Sequence, residues 1–244
     1  MPRAAVVERR GAVATITLNR PDQRNRLDDE LVSALADACA QVSSDDSRVV
    51  LFVGSGPAFA TGMAPPPAPE ALAGLSPAEA VAMLRKPTVA WIAGDCFDQG
   101  LELALACDVR LADPGATLAI RHVRGGALPW DGGTQRLVRA VGRAQALSML
   151  LTGDMLSAQQ AAAAGLVQRV CSRDGAEQLA GRISEAGPIA AAYAKEATSA
   201  ARDLALEQGL RLEADLSILL HPTHDRAEGL RSFTEKRPPR FEGE

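Results

Sequence analysis

The order of apolar periodicities in the first half of the chain constrains its fold more than any single residue does. Ala4 to Glu8 and Val13 to Leu18 alternate branched apolar residues with smaller or polar ones on either side of Arg10-Gly11, which predicts a β-hairpin. Asp28 to Val42 then places Leu31, Val32, Leu35, Ala38 and Cys39 at helical spacing behind an acidic first turn. Val49 to Val53 is a short apolar run closed by Gly54-Ser55-Gly56-Pro57. Strand, helix and strand in this order suggest an α/β layer rather than a helical bundle.

The pattern continues with a break. Ala64 to Pro69 (APPPAP) predicts a loop of polyproline character, because proline has no amide hydrogen and a fixed φ. Ser76 to Arg85 reads as a helix, Thr88 to Ala93 as a buried strand, and Gly100 to Cys107 has helical spacing. Val109 to Ala112 and Thr117 to Ile120 are short strands divided by Asp113-Pro114-Gly115. From Thr134 onward the chain turns helical: Gln135 to Val141, Arg143 to Leu151, Ser157 to Ala164, Ala176 to Glu185, and a long stretch from Ile189 to Leu220. Ser157 with Gln160 forms a capping-box signature, and Gly165 is a natural stop.

With 47% hydrophobic residues among 244, the chain can bury a large core, as one domain or a domain with an appendage. A net charge of −4 gives no basic footprint for nucleic acid or an anionic membrane, and 3% aromatic residues supply little base-stacking surface. Cys39, Cys96, Cys107 and Cys171 are scattered without a CxxC pair or histidines at ligand spacing, so neither a bound metal nor a disulfide framework is expected. No uncharged apolar run approaches the roughly 18 residues of a membrane span, and the first residues lack a secretory pattern. The expectation is a soluble, cytoplasmic protein.

Five segments carry a resemblance. They are LNRPDQRNRLDDEL from Leu18, GPAFATGM from Gly56, KPTVAWIAGDCFDQGLELALACDVRLAD from Lys86, GGTQRLVRAVGRAQALSMLLTGDMLSAQQAAAAGLV from Gly132, and EGLRSFTEKRPPRF from Glu228. In this order they resemble the crotonase (enoyl-CoA hydratase/isomerase) superfamily along almost the whole chain. The resemblance implies an α/β fold: a crotonase-like spiral of ββα units over residues 1–187, then a helical C-terminal region, 188–244, that packs trimers or dimers of trimers. It also implies an acyl-CoA thioester as substrate, with coenzyme A as part of that substrate rather than a permanently bound cofactor. The shared chemistry is stabilisation of a thioester enolate. Hydratase or lyase activity is the first expectation. Non-hydrating enolate chemistry (isomerisation, decarboxylation or carbon–carbon cleavage) and a catalytically idle acyl-CoA-binding paralogue are the alternatives.

By the same resemblance, the backbone amides of Met63 and Gln99 form the oxyanion hole. Asp98-Gln99-Gly100 stands where the family has a glycine-rich turn, and Asp98, a favoured helix cap, competes for those amides. Glu102 interrupts the apolar run Leu101 to Ala106 and matches a catalytic glutamate of family hydratases, so burial is expected to raise its pKa; the alternative is a surface glutamate. His122 occupies the place of the family's second glutamate, as a proton-transfer group or as a residue capping the Arg121 and Arg124 region. Trp130 and Asp131 replace small residues and border the acyl pocket, Asp131 as an additional acid or, preferentially, as the cap of the helix beginning near Gly132. Gln23, Arg24, Ala60, Gly62, Phe233 and Lys236 match positions along the coenzyme A moiety, although Arg24 and Lys236 also read as ordinary solvated charges.

Overall fold

The structure is a computed structural model that describes residues 3–62 and 76–244. β1 (Ala5–Arg10) and β2 (Val13–Leu18) make the expected antiparallel hairpin, with Ala5 opposite Leu18. Parallel pairing then carries β2 to β3 (Val49–Gly54), β3 to β5 (Thr88–Ile92), β5 to β7 (Val109–Ala112) and β7 to β10 (Arg169–Val170). A second sheet collects the short strands that follow these: β4 (Ala58–Ala60), β6 (Asp95–Phe97) and β8 (Thr117–Ala119), with β9 (Leu156–Ser157) antiparallel at its edge. The pairs β3–β4, β5–β6 and β7–β8 thus wind as a spiral, each turn giving one strand to each sheet. α2 (Pro77–Ala82) and α3 (Gln99–Ala106) follow the first two pairs, which makes the unit ββα.

β3 shows why its sequence is continuously apolar. Val50 and Phe52 enter the main core, while Val49, Leu51 and Val53 face Ala176 and Ala180 of α6 (Arg173–Ser184), so both faces are buried. α1 (Asp29–Ser44) buries Leu31, Val32, Leu35, Ala38, Cys39 and Val42, and Asp28 caps it by accepting from the Leu31 amide at 3.1 Å.

The two helices predicted on either side of Gly142 are present as the two limbs of α4 (Gly133–Thr152), divided at Gly142, whose φ 76° and ψ 164° are not helical. One helical expectation changes. The long stretch after Ile189 is two helices, α7 (Pro188–Ala200) and α8 (Leu206–Leu220), although no glycine or proline lies between them. They pack on each other, with Leu216 of α8 buried. α5 (Ala158–Ala163), with the full Ser157–Gln160 capping box, and α9 (His224–Glu235) complete the set.

Asn25 pins the loop after β2 to the strand that leads into the site. Its side chain is fully buried and donates to the carbonyls of Ser55 (2.9 Å), Ala58 (2.7 Å) and Phe59 (3.2 Å), while its oxygen accepts from the Arg20 amide at 2.8 Å. Asn25→Ala leaves these groups buried without partners and should destabilise the protein by about 2–4 kcal/mol, read from urea unfolding midpoints. A loss below about 1 kcal/mol would show that the loop is held by something else.

Candidate active site

α3 is apolar on every side because sheet and helices enclose it, and Glu102 is its one carboxylate, with 0% exposure. Glu102 Oε1 accepts from the amides of Asp131 (3.0 Å) and Gly133 (2.6 Å), which lie at and just before the start of α4. Oε2 has no hydrogen-bond partner among the described residues and lies 3.9 Å from His122 Nε2. Burial pushes the Glu102 pKa up to about 7, although the Gly133 and Asp131 amides favour the charged form. A carboxyl titrating near neutrality can both give and take a proton under working conditions.

His122 opens a short 3-10 turn, His122–Gly125, and its side chain is 9% exposed. Its Nε2 lies 2.6 Å from Gln99 Nε2. An amide nitrogen only donates, so His122 Nε2 is the acceptor and the proton of the neutral ring sits on Nδ1. Nδ1 is buried without a hydrogen-bond partner among the described residues, 3.7 Å from Asp98 Oδ1. Burial lowers the His122 pKa, favouring the neutral ring, while Asp98 opposes the shift.

Asp98 does not cap α3, in contrast to the competition expected from its sequence position. Its carboxylate instead accepts from the backbone amide of Arg121 (2.7 Å) and from Arg121 Nη2 (2.7 Å), and the Arg121 guanidinium lies over the Phe97 ring at 4.3 Å. The Asp98 backbone has φ 55° and ψ −122°, a region that suits glycine and costs another residue about 1–3 kcal/mol. Gln99 is the first residue of α3, so its amide belongs to the positive end of that helix.

β4 and α3 meet closely here. A methyl group built on Gly62 would lie 2.5 Å from Gln99 Oε1 and 2.7 Å from Asp98 Cβ. Chain position 62 therefore abuts the 98–99 turn. Met63, the expected partner donor, lies outside the described residues, as do Ala64 and the proline loop.

Asp131 departs from its expected role as the cap of α4. Gly132 holds the cap position, and the Asp131 carboxylate reaches across to α2, accepting from Ser76 Oγ and from the Ala78 amide at 2.9 Å. Its side chain is thereby committed to joining two helices, and its amide to Glu102. Trp130 is half-buried, and its Nε1 is buried without a hydrogen-bond partner.

The residues matched to coenzyme A are spread more widely. Gln23 and Arg24 are exposed in the turn after β2, where Arg24 pairs with Asp95. Ala60 is buried at the end of β4, with Gly62 partly exposed beyond it. Phe233 (84% exposed) and Lys236 project from the end of α9; among the described residues, neither bonds to the Glu102 group. Sequence reasoning placed His122 in the region of Arg121 but missed Asp98 as part of its environment. The available signal was a non-glycine residue in a turn where the neighbouring pattern calls for glycine. Among the described residues no cluster of three or more metal-ligating side chains occurs, and no helix is long and apolar enough to cross a membrane.

Known proteins resemble this chain in sequence and fold. The family model described as enoyl-CoA hydratase/isomerase matches residues 8–244. The chain is 38% identical to (E)-benzylidenesuccinyl-CoA hydratase of Thauera aromatica, covering 95% of this chain and 96% of that protein. It is 36% identical to 2,3-dehydroadipyl-CoA hydratase of Escherichia coli (strain K12), covering 98% of each. The crystal structure of an enoyl-CoA hydratase from Bacillus anthracis superposes with a TM-score of 0.94 at 34% identity, over 99% of this chain and 100% of that one.

Proposed function

Because this chain belongs to the enoyl-CoA hydratase/isomerase family, we propose that it hydrates the double bond of an α,β-unsaturated acyl-CoA, using Glu102 as the group that protonates Cα. The observation that carries this reading is the state of Glu102. It is fully buried, held by two amides through one oxygen, with the other oxygen directed toward His122 and a pKa near 7. Such a carboxyl holds a proton at neutral pH that it can give to carbon, and the Asp131 and Gly133 amides stabilise the carboxylate that remains.

In this reading the amides of Met63 and Gln99 hold the thioester oxygen as charge develops on it, a contribution of about 2.7–4 kcal/mol per donor in comparable sites. The close approach of position 62 to the Asp98–Gln99 turn supports a convergent pair. The thioester's coenzyme A portion would lie along Gln23, Arg24, Ala60 and Gly62, and Phe233 and Lys236 would serve the nucleotide of a neighbouring subunit. Exposed Leu206, Leu210, Ile218, Leu219 and Leu230 on α8 and α9 form apolar surface suited to covering by further copies, in keeping with a homotrimer or a dimer of trimers.

A second reading, non-hydrating enolate chemistry, is favoured by His122 standing in place of a carboxylate and by the large Trp130 ring beside Asp131. Turnover of a panel of enoyl-CoAs in oxygen-18 water separates the two. Label in a β-hydroxyl product is the expected result. Product formed without label incorporation would replace hydration by the second reading, and binding of acyl-CoA with no turnover across the panel would leave an idle paralogue.

A further inference from the structure

We propose that Asp98 is a positioning residue that holds His122 with its proton on Nδ1, so that Nε2 serves as the acceptor of the nucleophilic water's proton. The inference rests on the hydration reading above. It comes from three observations at one turn.

First, the ring nitrogens are already differentiated. Nε2 receives the Gln99 amide at 2.6 Å, and among the described residues Nδ1 is buried with no hydrogen-bond partner and lies 3.7 Å from Asp98 Oδ1. That separation is an ion–dipole contact rather than a hydrogen bond, and catalytic contacts of this kind shorten when substrate closes a site. Second, Arg121 binds the Asp98 carboxylate through both its backbone amide (2.7 Å) and its guanidinium (2.7 Å). Third, aspartate occupies a backbone conformation that glycine would occupy without strain. The ion pair with a partly exposed Arg121 contributes little to stability, so fold stability alone does not account for a carboxylate here.

The charged and titratable groups facing the His122 ring are Asp98, Arg121 and Glu102, while Arg124 of the same turn lies over Gly153. Water would take the donor position that the Gln99 amide holds here, between His122 Nε2 and Glu102 Oε2. As the water oxygen bonds to Cβ, its O–H bond breaks and that proton passes to His122 Nε2. The alkene electron pair moves to form the enolate. Collapse of the enolate draws the Glu102 proton onto Cα, and the imidazolium then returns a proton to the Glu102 carboxylate, restoring both groups.

The test compares wild type, Asp98→Asn and Asp98→Gly, each labelled with nitrogen-15 histidine. The chain has three histidines; His221 and His224 are exposed, and His122 is assigned by its loss in His122→Gln. Asparagine retains the shape and an acceptor for the Arg121 amide, and glycine suits the backbone angle, so at least one variant should keep the fold. The expected result is an Nδ1-protonated His122 in wild type and a shift toward the Nε2-protonated ring in the variants. The His122 titration midpoint should fall, since Asp98 favours the charged ring. Hydration should drop at least about 10-fold, with the acidic limb of its pH profile displaced to lower pH. An Nε2-protonated ring in wild type, or an unmoved tautomer and acidic limb in both variants, would overturn the proposal. A tautomer that responds to Asp98 in a protein that hydrates no enoyl-CoA would support the positioning role and reject the hydration reading.

Discussion

Glu102→Gln is expected to lower enoyl-CoA hydration by about two to four orders of magnitude while leaving the affinity for a saturated acyl-CoA within a few-fold. Glutamine retains an oxygen for the Asp131 and Gly133 amides, so the start of α4 keeps its anchor. What it loses is a proton that can be given to carbon. Single-turnover kinetics with an enoyl-CoA, alongside calorimetric binding of the saturated analogue, read the two effects separately. Wild-type turnover in this variant would remove Glu102 from the mechanism.

The same substitution has an opposite effect on stability. Burial raises the Glu102 pKa from 4.5 to about 7, so between these values the folded chain holds a proton that the unfolded chain has released. The unfolded state binds fewer protons there, and stability falls as pH rises through this window, by about 3 kcal/mol in total. Glutamine carries no such penalty. Glu102→Gln should therefore unfold at higher urea than wild type at pH 8, with the gap narrowing toward pH 4.5. A site that is stabilised by losing its acid is one held in strain for the sake of chemistry.

Gly100→Ala should have the second-largest effect, reducing turnover about 100-fold and stability by about 1–3 kcal/mol. An added methyl would overlap the Ala60 carbonyl oxygen and lie 3.0 Å from the Ala60 side chain. β4 cannot retreat easily, because Asn25 holds the carbonyls of Ala58 and Phe59, and the Leu27 amide donates to the Thr61 carbonyl at 3.2 Å. The start of α3 must move instead, carrying the Gln99 amide away from its place beside Gly62. Gly181→Ala in α6 is the control: nothing lies within 4 Å of its added methyl, and it should gain about 0.5–1 kcal/mol. Equal activity of Gly100→Ala and wild type would show that the reaction does not depend on where α3 begins.

Local pattern was enough to read the hairpin, α1 with its acidic first turn, the buried strand at Val49, the Ser157 capping box, and Glu102 as an anomalous charge in an apolar helix. Each is carried by residues within a few positions of one another, where side-chain period and capping chemistry act directly. The three-residue strands β4 and β6 escaped because three residues hold too little alternation to register as strand. The break between α7 and α8 escaped because no glycine or proline marks it in the sequence.

The partners of each site group belong to a different scale. Glu102 is held by amides 29 and 31 positions away, Asp131 reaches 53 positions back to α2, and the Asp98 carboxylate chooses Arg121 across 23 positions in preference to the helix beside it. No spacing rule relates such residues. They meet because the two parallel sheets stack successive turns of the spiral, bringing the starts of α3 and α4 and the turn at His122 together. Residue type determined which groups can carry chemistry; the tertiary structure decided which oxygen is occupied, which is unpartnered, and which nitrogen keeps the proton, since those depend on distances that only the folded chain sets.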